Sequence, residues 1–326
     1  MTMAATARTI TAAVAASAVA VVAAKAMARR RVRQTVLSAG APLPPALPPG
    51  RVMNLPGRGE VFVRDSGGTS ARPAVLLLHG WTASADINFF PVYAGVAESY
   101  RVIALDLRGH GRGMRSVEPF SLEDCADDAA AVLDQLGAGR AIVVGYSMGG
   151  PVGLLLARRH PDRVAALVMQ ATALEWQRAA RERAVWRLLP VMDLVLRFGA
   201  GGVFVDRVFR RAVEEAPELA GYRPWLAAEF RRATARDLVA AGRALGRYDA
   251  SPWARQLNVP AAMLVTTRDR LVRPAKQREL AQMLRASVSE IDADHDAPLA
   301  KGGEYATLTR LAVDKVAAAA GLTPGR

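Results

Sequence analysis

Ala141-Ile142-Val143-Val144-Gly145-Tyr146-Ser147-Met148-Gly149-Gly150 is the stretch on which the fold turns. Its first four residues form a short apolar run without alternation, the pattern of a strand covered on both faces. Residues 150–159 then read as a helix. Between the two, Gly145-x-Ser147-x-Gly149 puts small residues where strand and helix must approach. A serine on such a turn sits in strained backbone. Its Oγ is lifted above the end of the sheet, beside a helix N-terminus that favours developing negative charge. The bare pentapeptide is a weak signal in a chain with 27 glycines. The strand before it and the helix after it make Ser147 a candidate nucleophile.

Outward from this turn, apolar runs of the same kind recur at 61–63, 74–78, 101–105, 164–168 and 261–265, with a strand-like segment at 288–291. Helical patterns fall between them. Residues 121–136 have Ser121 as N-cap, acids in the first turn and Gly137 as the stop. Residues 273–284 and 304–320 read as further helices. This alternation predicts an α/β architecture with right-handed crossovers. Residues 172–252 break the rhythm, with helical patterning around 176–198 and 225–245 and a glycine-rich hinge at 199–202. They read as a helical insertion.

Four more pieces complete a family pattern: His79-Gly80-Trp81 after one strand, Asp106-Leu107-Arg108-Gly109-His110-Gly111 after the next, Asp269 after a late strand, and His295 near the C-terminus. With the turn at Ser147, the chain resembles the α/β-hydrolase-fold serine hydrolases of the esterase and lipase type, over residues 60–320. The order Ser, Asp, His along the chain is the family order. The resemblance implies a mostly parallel central sheet with flanking helices, and a helical cap at 172–252. A serine hydroxyl needs a base within hydrogen-bond reach. The resemblance implies His295 as that base and Asp269 as the carboxylate that orients it, in preference to Asp292, Asp294 and Asp296 on the histidine's own loop. It assigns the oxyanion-stabilising N–H groups to Trp81 and Met148. His79 belongs to the oxyanion loop, His110 to a structural turn, and His160 to a helix end.

Relatives of this fold that open epoxides or remove halogen carry aspartate at the elbow, where this chain has Ser147. The expected reaction is hydrolysis of a carboxylic ester through an acyl-enzyme. C–C bond hydrolysis, acyl transfer and perhydrolysis remain open, because one triad supports them all. Trp176, Trp186, Leu188, Leu189, Val191, Met192, Leu196 and Trp225 are candidates for an apolar pocket, or for a small core within the cap. The expected partner is a small apolar ester.

Composition narrows the alternatives. The 326 residues are 51% hydrophobic, ample for a core. The single cysteine, Cys125, excludes an internal disulfide, and four scattered histidines give no metal motif, so neither cofactor nor metal is expected. Net charge is +13, but residues 1–59 hold Lys25, seven arginines and no acid, so that stretch carries +8. That distribution argues against a nucleic-acid-binding body. A non-catalytic binding module is disfavoured because all three triad positions are filled.

The N-terminal arm, residues 1–50, ends in the proline-rich linker 42–49, and the catalytic domain is expected over 51–326. The apolar run at 9–28 approaches the ~20 residues that span a bilayer. The arginines at 29, 30, 31 and 33 follow it. By the positive-inside bias the expectation is a single membrane anchor with a cytoplasmic catalytic domain. Export or organelle targeting after cleavage is the alternative.

Overall fold

Strands that are apolar on both faces need a layer of helices on each side, and that requirement shapes the molecule. A computed structural model describes residues 47–68, 72–116, 118–189, 210 and 212–325. Its strands are β1 (Gly50–Leu55), β2 (Gly59–Asp65), β3 (Ala74–Leu78), β4 (Arg101–Leu105), β5 (Ala141–Tyr146), β6 (Val164–Gln170), β7 (Ala261–Thr266) and β8 (Ser287–Ile291). They form one sheet in the order β1-β2-β4-β3-β5-β6-β7-β8. β2 runs antiparallel to β1 and β4, and the pairs from β4 to β8 are parallel. This is the α/β-hydrolase fold that the resemblance implies.

The strand period of two divides the core. Val75, Leu77, Ile142 and Val144 face one layer, built on α1 (Ala85–Phe89), α2 (Tyr93–Ala97), α9 (Ala297–Ala300) and α10 (Gly302–Ala319) through Phe89, Tyr93, Val96, Ala297, Val313 and Val316. Leu76, Leu78 and Val143 face the other layer. It is built on α3 (Leu122–Gln135), α4 (Gly149–Arg159) and α8 (Pro274–Met283) through Leu122, Leu133, Val152 and Leu280. α3 starts as its sequence predicts: the Asp124 N–H donates to Ser121 Oγ at 3.0 Å, with Glu123 and Asp124 in the positive first turn.

Between β6 and β7 the chain makes α5 (Ala180–Arg187), α6 (Arg223–Phe230) and α7 (Ala235–Arg247). The segment leaves and re-enters the sheet layer at one antiparallel bridge, Glu175 to Asp249. The expected hinge at 199–202 lies outside the described residues. The end of the proline-rich linker is tied to the body, since Pro49 O accepts the Asp65 N–H at 3.0 Å and Pro48 O accepts Arg64 Nη1 at 2.7 Å.

The expected membrane anchor with a cytoplasmic domain is corrected here. No helix among the described residues is long and apolar enough to cross a membrane. The longest, α10, has 18 residues but carries Glu304, Arg310, Asp314 and Lys315. The run at 9–28 lies outside the described residues. Its composition is the physical weakness of the expectation: it is mostly alanine and valine, interrupted by Lys25, and alanine adds little to insertion.

Candidate active site

The turn after β5 is as tight as its glycines require. Ser147 has φ +53°, a left-handed conformation that side chains other than glycine rarely adopt. A Cβ on Gly149 would lie 1.9 Å from Leu78 O, and one on Gly145 2.5 Å from Gly149 O. The bend is fastened from both sides: the Ser147 N–H donates to Gln170 O, and the Gly150 N–H to Ser147 O, each at 2.9 Å. Ser147 is left only 4% exposed.

Asp269 follows β7 and is equally buried. Its Oδ1 accepts the N–H groups of Leu271 (2.9 Å) and Val272 (2.7 Å). Its Oδ2 accepts Thr266 Oγ1–H at 2.8 Å, Gln277 Nε2–H at 3.2 Å and the His295 ring at Nδ1, 2.8 Å away. An ionised carboxylate has only acceptors, so the imidazole proton sits on Nδ1. That leaves His295 Nε2 to accept from Ser147 Oγ–H at 2.9 Å. Three residues separated by up to 148 positions thus form one continuous line.

The carboxylates beside His295 in sequence take other partners. Asp294 Oδ1 accepts the N–H groups of His295 (2.8 Å) and Arg270 (3.0 Å), and Asp292 pairs with Arg268 at 2.9 Å.

After β3, the loop 79–81 passes directly over the serine. A Cβ on Gly80 would be 3.1 Å from Ser147 Cβ. The Gly80 N–H donates to Asn88 Oδ1 at 2.8 Å. Among the described residues no backbone acceptor is found for the N–H of Trp81 or of Met148, although the amides of Gly80, Ser147 and Gly150 around them are all bound. His79 is buried, and burial pushes its pKa down to about 4. The neutral ring donates through Nδ1 to Gly80 O at 2.8 Å and accepts the Leu107 N–H on Nε2 at 2.9 Å, pegging the ends of β3 and β4 together. His110 is likewise held neutral by burial, with its pKa lowered to about 3, and its Nδ1 bonds to Arg108 O at 2.8 Å. His160 lies at a helix end against Asp127 at 2.8 Å.

The candidate pocket residues separate into groups. Trp186 packs on Trp81 with ring centroids 5.7 Å apart, and on Trp176 at 6.4 Å. Leu189 and Trp81 both approach Gly242 of α7. Trp225 instead joins Ile87, Phe90 and Leu299 in a separate cluster. Leu188 is exposed, and Val191, Met192 and Leu196 lie outside the described residues.

Several supporting side chains carry no signal in the sequence. Asn88 fixes the Gly80 amide. Tyr146, a variable residue of the pentapeptide, donates its hydroxyl to His295 O at 2.7 Å and so ties β5 to the loop of His295. Gln277 binds Thr266 Oγ1 (2.8 Å) and Val272 O (2.7 Å), bracing the loop of Asp269.

The family described as alpha/beta hydrolase fold matches residues 73–189. That span includes the loop 79–81 and Ser147 but ends before Asp269 and His295. Epoxide hydrolase B of Mycobacterium tuberculosis is 38% identical over 122 residues, covering 36% of this chain and 34% of that protein. A bifunctional esterase/perhydrolase of Acinetobacter calcoaceticus is 37% identical over 111 residues, covering 34% and 40%. The chain thus spans about a third of the length of such curated relatives. Among solved structures, the enol-lactonase from Burkholderia xenovorans LB400 superposes with a TM-score of 0.69 at 24% identity, over 79% of this chain and 98% of that one. An esterase from Exiguobacterium antarcticum gives 0.70 at 18% identity, over 82% and 100%. At these identities the likeness is one of fold.

Proposed function

We propose that this chain, which belongs to the α/β-hydrolase fold family, is a serine hydrolase that cleaves carboxylic esters with an apolar acyl or alkyl group. The observation that carries the reading is the line from Ser147 Oγ through His295 to Asp269, assembled from the ends of three different strands. Ser147 attacks the ester carbonyl while His295 Nε2 takes its proton, and Asp269 stabilises the imidazolium that forms. The oxyanion lies against the N–H groups of Trp81 and Met148. The histidine then protonates the leaving alcohol, and water activated by the same ring releases the acid. The wall made by Trp81 and Trp186 supports an apolar substrate group. A serine at the elbow speaks against epoxide opening, for which the family uses aspartate.

The test is a fluorophosphonate probe read by intact mass and peptide mapping, together with Ser147→Ala. One adduct at Ser147 is expected, and loss of p-nitrophenyl ester turnover in a variant that unfolds at the same temperature. Activity of Ser147→Ala above the level of contamination overturns the assignment.

A further inference from the structure

We propose that α7 of the β6–β7 segment sets the position of the oxyanion donor at Trp81, with the Trp81 indole and Gly242 as the positioning parts. The inference rests on the serine-hydrolase reading above and adds a requirement to it: the hole is complete only while α7 grips the ring.

The grip has three contacts. The Trp81 indole Nε1–H donates to Leu238 O at 2.8 Å, 157 residues away in the chain. Within a helix that carbonyl also receives the N–H four residues on, which is that of Gly242. Trp81 therefore shares an acceptor with the helix's own ladder, at a position where the helix surface is cut back to backbone. A Cβ on Gly242 would lie 2.7 Å from Trp81 Cζ2 and 3.3 Å from Cε2.

The third contact is Trp186, tilted by 37° against the indole. Trp186 is itself fixed, by its Nε1–H to Trp176 O at 2.7 Å and by Gly246, where a Cβ would come within 3.1 Å of its ring. Gly242 and Gly246 are one turn apart on the same face of α7, so one helix surface seats both rings.

The backbone shows why a grip is needed. Thr82, the next residue, has φ +67°. A β-branched residue in that region is strained and stays there only when its surroundings hold it. On its other side the loop is fixed at Gly80 by Asn88. The peptide that carries the Trp81 N–H is held at its Gly80 carbonyl by His79 Nδ1 at 2.8 Å and the Ala83 N–H at 3.4 Å, and the indole anchors the other side of the residue, next to strained Thr82. If the ring is released, Thr82 relaxes and the Trp81 Cα shifts, so the N–H of the peptide before it loses the aim that the Gly80 end alone does not fix. Side-chain packing against α7 is thereby converted into the aim of a backbone N–H.

Gly242→Ala and Trp81→Phe test this. Phenylalanine keeps the backbone donor but lacks the indole N–H. Each variant is expected to lower kcat about tenfold or more, with KM changed less than about twofold, since loss of a whole oxyanion donor costs about 100- to 1,000-fold. The rate ratio of an ester to its thionoester, whose sulfur is a poorer acceptor, should fall in both, because a misaimed donor no longer favours oxygen. In the Trp81→Phe background, Gly242→Ala should add little, as expected for two parts of one device.

Complete end-point labelling of Ser147 by a fluorophosphonate should persist in both variants. Absence of labelling in the unaltered enzyme would instead overturn the serine-hydrolase reading. An unchanged ester-to-thionoester ratio, a change confined to KM, or a full additional loss in the double variant each overturns the positioning role. If Gly242→Ala does not fold, Trp81→Phe decides alone by the same ratio.

Discussion

Asp269→Asn is the change whose consequence can be worked out atom by atom. The new amide has one acceptor and one donor end, and the surroundings decide which goes where. Two backbone N–H groups, of Leu271 and Val272, point at Oδ1 from 2.9 and 2.7 Å, so the amide oxygen goes there. The NH₂ then faces His295 Nδ1, 2.8 Å from the original Oδ2. Nδ1 has to accept, the ring proton moves to Nε2, and Nε2 faces Ser147 Oγ as a donor rather than a base. A base in the wrong tautomer costs about 10,000-fold in turnover, about 5 kcal/mol of barrier. Stability changes much less. Gln277 Nε2, 3.2 Å from Oδ2, and the Thr266 hydroxyl, 2.8 Å from it, both lose an acceptor, while Gln277 keeps Thr266 Oγ1 and Val272 O, so the cost is about 1–3 kcal/mol. Single-turnover acylation by a p-nitrophenyl ester measures the first quantity and denaturant unfolding the second. Imidazole nitrogen NMR should show the proton on Nε2 in the variant. A loss under tenfold refutes the reasoning. So does a larger loss in Asp294→Asn, whose carboxylate holds backbone amides of the loop and not the ring.

Acid should loosen the fold through two neutral histidines. Burial lowers His79 to about 4 and His110 to about 3, so their contribution is full above pH 6.5, where the unfolded chain's histidines are also neutral, and is lost as pH falls towards those values. For His79 this amounts to roughly 3 kcal/mol by pH 4. Asp106 and Glu229, raised by burial, act in the opposite sense. The decisive measurement is therefore the difference between the unaltered protein and His110→Gln in urea midpoints from pH 7 to 4, and an unflattened slope in the variant disproves it. Two glycine substitutions should differ in sign. Gly149→Ala forces a Cβ onto Leu78 O and should cost about 3 kcal/mol or more, whereas Gly303→Ala meets nothing within 4 Å in α10 and should be neutral or stabilising by up to about 1 kcal/mol. Equal shifts in thermal midpoint would contradict that account.

The sheet was legible wherever a strand is buried on both sides. β3, β5 and β6 are buried along their whole length, and each stands out as a continuous apolar run. β1 carries no such run. Only Met53 and Leu55 face inward while Val52 is exposed, so the edge strand has too few apolar positions to show a period. The insertion was readable as helical but not in detail. The single stretch read at 225–245 is two helices, α6 and α7, parted at Thr234, whose Oγ1 accepts the Asp237 N–H and starts a new cap. The candidate pocket was the least legible part. Trp225 and Trp186 look alike as apolar residues of one insertion, yet one packs beside Phe90 and the other beside Trp81. That choice depends on how the segment lies on the sheet, which no local pattern encodes.

The contrast between the candidate site residues and their supports has one physical origin. In a parallel sheet every strand ends at the same edge, so residues just after β3, β5, β7 and β8 meet wherever they stand in the chain. Trp81, Ser147, Asp269 and His295 each follow one of those strands, and a reader who can find strands can find them. The supports obey no such rule. Asn88 reaches Gly80 from α1, Gln277 reaches Thr266 from α8, and Leu238 O reaches Trp81 from α7. Each is a helix residue whose relevance depends on rotation and depth of packing, quantities set only once the layers have closed. A search for further determinants of activity in this chain therefore belongs on the helix faces that touch the strand ends, as at Gly242, and at Tyr146 on the end of β5, ahead of further histidines or carboxylates. Tyr146→Phe offers the sharpest case. It removes the hydroxyl that binds His295 O at 2.7 Å while keeping the ring 5.6 Å from the imidazole. One neutral hydrogen bond of that kind is worth about 1 kcal/mol, so turnover should fall about fivefold with unchanged fluorophosphonate stoichiometry. A variant as fast as the unaltered enzyme would mean that Asp269 alone orients the histidine.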